Sequence, residues 1–408
     1  NKQSLLYNFA ISFILSEERT EEPLTITTWN QQIVKKKNKE IVLRTIITNA
    51  PISRADIAQH SGLNKATVSS LVNELIEEEF IYESGPGESS GGRRPVMLLF
   101  NKKAGYSIGL DIGVNYILGI VTDLEGNVVY EKHKSIHNLS FDEIIHLTIE
   151  TIKNLIEHTP QSRYGVIGIG IGVPGIVDKS GKVLLAPNLK WKNVDLLDII
   201  YREFDYPIIV ENEANAGAYG EIRFGAGVNF HNVIYISAGI GIGVGIILKG
   251  ELYKGMNGYS GESGHMTIVV DGEKCRCGNS GCWEAYASEH ALLHQAKHIL
   301  PDATLEELIK MAEENKNVKD IFQQIGSYLG IGISNLIKTF NPQQIIIGNR
   351  LAKAKHLIEQ PTIKSINEHT LDFHQKDLQI NFSKLSIYSA ALGVSAFAIE
   401  NFLSIGKG

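Results

Sequence analysis

Apolar residues recur at different spacings along the 408-residue chain, and the change of spacing divides it. Within "NQQIVKKKNKEIVLRTIITNA" they fall at 33, 34, 41, 42, 43, 46 and 47, a helical rhythm. Pro51 follows, then Ser53 with Asp56 three residues on, the acidic form of a capping box. "SRADIAQHSG" is therefore a short helix stopped by Gly62, and Asn64 caps a third helix. That helix carries apolar residues at 68, 71, 72, 75 and 76, one stripe at helical spacing. A Gly-rich stretch then precedes an apolar strand at 96–100. From 104 the rhythm becomes strand, turn, strand, turn, strand, with Gly126-Asn127 at the second turn. A helix is predicted over 141–158, and Gly-laced apolar strands over 165–175, 208–215 and 232–248. A long helical pattern at 317–339 ends at Asn341-Pro342 and predicts interior packing. Strands alternating with helices argue for an α/β fold.

A short helix, a tight turn and a second helix with small polar residues at its start form a helix-turn-helix. The residues expected to face DNA are Ser53, Arg54, Asn64, Lys65, Ala66, Thr67, Ser69, Ser70 and Asn73. Most are short and can meet base edges and phosphates. The Gly-rich hairpin that follows, with Arg93 and Arg94 at its base, reads as a wing. A plain three-helix bundle with a polar face is the competing reading. From 30 to 103 there are eleven Lys/Arg against eight Asp/Glu, so the order of elements rather than charge favours DNA.

Composition narrows the class. Apolar residues make up 43% and charged residues 21%, ordinary for a soluble globular protein. A net charge of −6 excludes a polycation, so nucleic-acid contact has to come from a local patch. Residues 1–26 hold an apolar run too short to cross a bilayer and an acidic "SEERTEEP". They are read as an N-terminal extension, with an amphipathic interaction helix as the alternative. No membrane partner is expected. Three cysteines are too few for a disulfide scaffold and favour a reducing, cytoplasmic setting. All three lie in "EKCRCGNSGCWE", where chance, a disulfide, buried small residues and a metal clip compete.

The motifs "LDIGVNYILGIVTD", "GVPGIVD", "ENEANAGAYGE", "AGIGIGVG", "GESGHMTI" and "CRCGNSGCWE" occur in the order typical of the ROK family. That family groups bacterial repressors with sugar kinases, and the resemblance runs from 27 to 408. It implies an α/β chain with an N-terminal winged helix-turn-helix and a two-lobed actin-like sugar-kinase fold, the sugar lying between lobes. The implied domains are 27–103 for DNA binding, 104–222 plus 390–408 for the smaller lobe, and 223–389 for the larger. "TTWNQQIVKKKNKEIVLRTI" and "SSGGRRPVMLLFNKKAGYSIG" resemble the xylose-responsive repressors of the family.

The resemblance adds His265 to Cys275, Cys277 and Cys282 as a structural Zn²⁺ set, a soft and borderline donor group suited to a tetrahedral ion. It implies an effector site at Pro174, Gly175, Asn212, Glu213, Glu262, His265 and Glu284. The phosphate loops depart from the kinase pattern. Where kinases carry D-x-G-G-T this chain has Asp111-Ile112-Gly113-Val114-Asn115, and where they carry G-T-G it has Gly239-Ile240-Gly241. Glu213 stands where the kinase base is Asp. No catalytic residue is therefore expected. The implied partners are a second copy of the chain, a palindromic operator and D-xylose as inducer. Glucose or an amino sugar is the alternative effector, and an active ATP-dependent sugar kinase the alternative of another class.

Overall fold

In the computed structural model, residues 31–86, 94–136 and 139–404 are described, and they form two units that divide after Asn101. The expected extension at 1–26 and Arg93 lie outside the described residues. In the first unit the helical rhythms become α1 (Gln31–Asn49), α2 (Arg54–Ser61) and α3 (Lys65–Glu77). Ser53 caps α2 by accepting from the Asp56 N–H, Gly62 ends it at φ 71°, and Asn64 caps α3 through the Thr67 N–H. Val68, Leu71, Val72 and Leu75 are buried, as their spacing requires. α1 differs from its pattern: Val42, Leu43 and Ile46 are buried, while Ile33 and Val34 are 45% and 38% exposed. α1 packs against α2 and α3 through its second half, where Lys39 is buried against Glu74 and Glu78.

β2 (Ile81–Pro86) and β3 (Val96–Phe100) form the hairpin, and a two-residue strand, β1 (Ile52–Ser53), joins its other edge in the order β1-β3-β2. β1 was invisible in the pattern because two residues have no period.

The second unit uses one sheet plan twice. β4 (Tyr106–Ile112), β5 (Tyr116–Asp123) and β6 (Val128–Ser135) run antiparallel, followed by α4 (Phe141–Glu157) and β7 (Val166–Val173). A small sheet of β8 (Ile176–Val177), β9 (Val183–Ala186) and β10 (Trp191–Val194) comes next, then α5 (Leu196–Tyr201) and β11 (Ile208–Asn212). The first large sheet has the order β11-β7-β4-β5-β6.

After α6 (Glu213–Phe224) the plan repeats with β12 (Val233–Ala238), β13 (Ile242–Leu248) and β14 (Glu251–Leu252). α7 (Glu284–Ala287), α8 (Glu289–Ala296), α9 (Leu305–Met311) and α10 (Lys316–Phe340) lead to β15 (Gln344–Gly348). α11 (Lys355–His369), α12 (Asp372–Gln375), β16 (Gln379–Phe382) and α13 (Ser389–Leu403) complete it. The second sheet runs β14-β13-β12-β15-β16. In each, the first strand pairs antiparallel with the second and parallel with the fourth. The single strand expected over 232–248 is thus two, turning at Gly239–Gly241, because glycine lets the chain reverse inside an apolar run.

Each sheet has its own core: Ile108, Leu110, Ile169 and Trp191 in the first lobe; Ile234, Ile345, Phe322 and Trp283 in the second. α10 is interior, as its pattern predicts, with Ile325, Leu329 and Ile333 wholly buried. α6 and α13 cross backbone to backbone: a Cβ on Gly393 would stand 1.7 Å from the Ala216 carbonyl oxygen. Ser386–Leu403 is apolar and long enough to cross a membrane, but Ala391 and Val394 in it are wholly buried against protein.

Candidate functional site

The repeated plan aims the first hairpin of each sheet at the same space. Gly113, Val114 and Asn115, after β4, and Gly239, Ile240 and Gly241, after β12, line one solvent-open cleft. All seven residues expected at an effector, Pro174, Gly175, Asn212, Glu213, Glu262, His265 and Glu284, line it as well. The first three of these come from the first lobe and the last three from the second; Glu213 opens α6 between them. Tyr116, Asn188, Ser237, Arg276, Asn349 and Arg350 also line it and were missed. Arg276 lies inside the cysteine motif, so its position alone could have flagged it.

Asn212 does two structural jobs: its Oδ1 caps α6 through the Ala214 and Asn215 N–H groups, and its Nδ2 donates to the Gly175 carbonyl at 2.7 Å. That bond ties the two predicted first-lobe segments together. Glu213 Oε1 accepts from Ser237 Oγ and Asn349 Nδ2, each at 2.7 Å. Burial nevertheless raises its carboxyl above the ordinary range. Nearby, Asp111 is 1% exposed; Oδ2 accepts from the Tyr116 hydroxyl at 2.6 Å and Oδ1 has no partner. Burial first, and the Glu213 charge second, push Asp111 well up.

Tyr116 stands beside the loop that departs from the kinase pattern. Its ring lies against the Cβ side of Gly113, where an added Cβ would meet Cε1 at 2.4 Å, and its hydroxyl holds the Asp111 carboxyl.

On the opposite wall, His265 Nδ1, Cys275, Cys277 and Cys282 come together, with one ligand atom from each within 4.8 Å of all the others. Cys277 Sγ and Cys282 Sγ are 3.7 Å apart, and Cys275 Sγ lies 3.6 Å from His265 Nδ1. A tetrahedron with ordinary Zn–S and Zn–N bonds has edges of about 3.8 Å between sulfurs and about 3.6 Å from sulfur to nitrogen. Two of the six edges have the length such an ion requires, and the remaining ones lie within 4.8 Å. A disulfide would need about 2.05 Å, and all three thiols are free.

Burial pushes the Cys275 thiol up; the Cys277 N–H opposes this, and the hydrogen bond to Glu284 adds to it. A divalent cation reverses that balance, since thiolates are its ligands. The loop is anchored behind by Trp283, wholly buried, whose indole N–H donates to the Tyr328 carbonyl at 2.9 Å. Glu284 is held with Oε1 3.0 Å from Cys275 Sγ and Oε2 3.4 Å from the Ile242 N–H. Glycine at 241 is what admits it, because a Cβ there would lie 2.7 Å from Oε2. His265 Nε2, which a metal held on Nδ1 would leave free, is 4.0 Å from Glu262 Oε2. Burial raises the Glu262 carboxyl, with His265 opposing.

In the first unit, Asn64, Lys65, Ala66, Ser70, Asn73 and Arg94 are exposed, and Thr67 and Ser69 half-buried. Arg54 donates to Glu83 Oε1 at 3.0 Å and to Asn73 Oδ1 at 3.2 Å, so those two expected contacts form one cluster. Ser53 is a correction. It is 4% exposed, and its hydroxyl is spent on the α2 cap and on Asp56 Oδ2 at 2.7 Å, out of reach of a phosphate.

Comparison with known proteins gives two family matches: ROK over residues 107–401 and a winged helix-turn-helix DNA-binding family over 36–82. The xylose repressor of Bacillus spizizenii is 46% identical over 379 residues, covering 93% of this chain and 99% of that one. The crystal structure of a ROK family transcriptional regulator, a homolog of the E. coli MLC protein, superposes with TM-score 0.77 at 29% identity, covering 92% and 98% of the two chains. A ROK family glucokinase from Streptomyces griseus, solved with glucose and AMPPNP, gives TM-score 0.66 at 30% identity, covering 72% of this chain and all of that one (100%).

Proposed function

The chain belongs to the ROK family, and from that premise we propose that it is a transcriptional repressor of xylose-utilisation genes, released from operator DNA by D-xylose. One observation carries the reading: the cleft gathers Glu213, Glu262, Glu284 and His265, while Val114 and Asn115 line it where the kinase loop has glycine and threonine. A kinase needs both halves, and a ligand-controlled repressor only the first. Identity to a named xylose repressor over nearly the whole chain supports D-xylose over glucose or an amino sugar. The position of Glu213, drawn by Ser237 and Asn349 to the cleft floor, supports the absence of phosphoryl transfer.

Sugar hydroxyls would meet Glu262, Glu284, Glu213 and the free Nε2 of His265, with Pro174 and Gly175 as the facing wall. His265, Cys275, Cys277 and Cys282 would hold Zn²⁺; four protein ligands leave no open position, so the ion supplies a fixed loop rather than chemistry. Because groups come from both lobes, a ligand touching all of them favours their approach. By linkage, sugar releases DNA only through tighter binding to the released arrangement. Moving the balance from 99:1 to 1:99 takes a preference of about 10⁴-fold.

On the DNA side, Lys65, Ala66, Thr67, Ser69, Ser70 and Asn73 of α3, with Asn64, Arg54, Arg93 and Arg94, form the proposed contact set. A homodimer would present two such heads to half-sites about one DNA turn apart in a palindrome. The setting is cytoplasmic.

The test is fluorescence anisotropy on DNA from upstream of a xylose-utilisation operon, titrated separately with D-xylose, D-glucose and N-acetylglucosamine. Release by xylose alone is expected. Tight binding indifferent to xylose would refute the effector, and sugar-dependent ATP turnover without specific DNA binding would refute the repressor.

A further inference from the structure

We propose that Arg276 and Asn188 form a latch across the mouth of the cleft, with Arg276 acting as the positioning residue that retains a ligand bound beneath it. The inference rests on the effector reading above for what is retained, but the latch itself is read from the lobes alone.

Arg276 lies between Cys275 and Cys277, on the second lobe. Its backbone is held by local bonds on both sides, Cys275 N–H to the Asn279 carbonyl at 2.9 Å and Gly278 N–H to the Cys275 carbonyl at 3.0 Å. The side chain is exposed, yet it lines the cleft and reaches the first lobe, where Nη1 donates to Asn188 Oδ1 at 2.5 Å. Asn188 is the middle residue of a single 3₁₀ turn, Pro187–Leu189, closed by the Lys190 N–H on the Pro187 carbonyl at 3.2 Å. Proline fixes φ at the first position of that turn, and β9 and β10 pair on either side of it through Ala186 and Trp191. Both posts are therefore stiff, and only the long arginine stem is free to swing. Such a contact forms over a narrow range of lobe separations and is lost beyond it.

Two further facts separate this contact from an ordinary surface hydrogen bond. Arg276 has no ion pair among the described residues, so its charge is not spent on the second lobe's own packing. Asn188 makes no second side-chain hydrogen bond among them, and its Nδ2 lies 3.6 Å from where a Cβ on Gly241 would stand, the same point that is 2.7 Å from Glu284 Oε2. The latch thus closes directly over the carboxylate wall. The lobes are also joined where α6, packed on β12 and β13 of the second sheet, crosses α13, packed on β4 and β7 of the first, and by Lys254 pairing with Glu211, but neither of these gates the mouth.

The test uses the full-length, metal-loaded protein and four variants: Arg276→Ala, Asn188→Ala, both together, and Arg276→Lys with Asn188→Asp, which replaces the bond by an ion pair. Hydrogen exchange is followed in residues 186–191 and 275–283, with metal content measured alongside. Arg276→Ala is expected to speed exchange in 186–191 about tenfold, the loss of one partly exposed charge-assisted bond, while 275–283 and the metal are unchanged. The double alanine variant should be no worse than either single one, and the Lys/Asp pair should restore slow exchange. In the sugar arm, Arg276→Ala should raise the sugar dissociation rate about tenfold with sugar-free operator affinity unaltered. Unchanged exchange in 186–191, or additive effects in the double variant, would overturn the latch. A wild-type protein that ignores every sugar would instead overturn the effector reading, and the exchange arm would still decide the latch.

Discussion

Replacing Asp111 by asparagine asks whether the cleft floor holds a proton. The side chain is 1% exposed, Oδ2 accepts from Tyr116 at 2.6 Å, and Oδ1 has no partner. Burial first and the Glu213 charge second hold this carboxyl well above the ordinary range. In the unfolded chain it releases its proton near a pH of about 3.9, whereas the folded chain keeps it to higher pH. Over that window the folded state binds more protons. The contribution to stability is thus complete below the unfolded value and is lost as pH rises toward the folded one, at about 1.4 kcal/mol per pH unit. Glu213 is raised by burial too, so the two carboxyls release their protons as a pair.

Asparagine can still accept from Tyr116 and has no proton to lose. As pH rises above the unfolded value the variant should gain on the native protein, by at most about 1.4 kcal/mol per pH unit, until the folded carboxyl releases its proton. Urea unfolding followed by tryptophan fluorescence at several pH values measures the difference. Parallel pH dependence in the two proteins would refute a proton held at Asp111.

Three other outcomes follow from the same coordinates. Cys282→Ser, at a wholly buried ligand position, should abolish stoichiometric zinc by elemental analysis and lower the melting temperature of the cleft-bearing unit. Lys65→Ala should weaken operator binding and shallow its salt dependence by about one unit of slope, while Glu83→Gln, which frees Arg54, should steepen it. Leu75→Ala, at a wholly buried position in α3, should cost about 2–5 kcal/mol in denaturant melts of the winged helix.

What the sequence made legible is what repeats or punctuates. The α3 stripe at Val68, Leu71, Val72 and Leu75 was readable because 3.6-residue spacing needs no partner to be seen. The caps at Ser53 and Asn64 and the stop at Gly62 were readable because each answers a local backbone need. Ile33 and Val34 show the limit of that logic: periodicity proposes a face, and only a neighbouring helix makes it a core. Ser53 shows another, since the same hydroxyl that caps a helix was counted as a DNA contact. In the site, all seven residues expected at an effector line the cleft. Tyr116, Asn188, Ser237 and Asn349 reached it too, single residues on separate strands and turns that only tertiary folding brings together. The motif at Asp111-Ile112-Gly113 signalled a loop that departs from the kinase pattern, but not that the next aromatic residue lies against Gly113.

The crossing of α6 and α13 has a mechanical consequence. Gly220 lies against the Ser389 carbonyl and Gly393 against that of Ala216, and side chains lock the helices on either side of that contact: Tyr219 stacks on Phe397, Arg223 pairs with Glu400, and Ser389 Oγ donates to Glu221. Turning one helix on the other has to part those contacts, so resistance to opening is shared between this pivot and the cleft mouth.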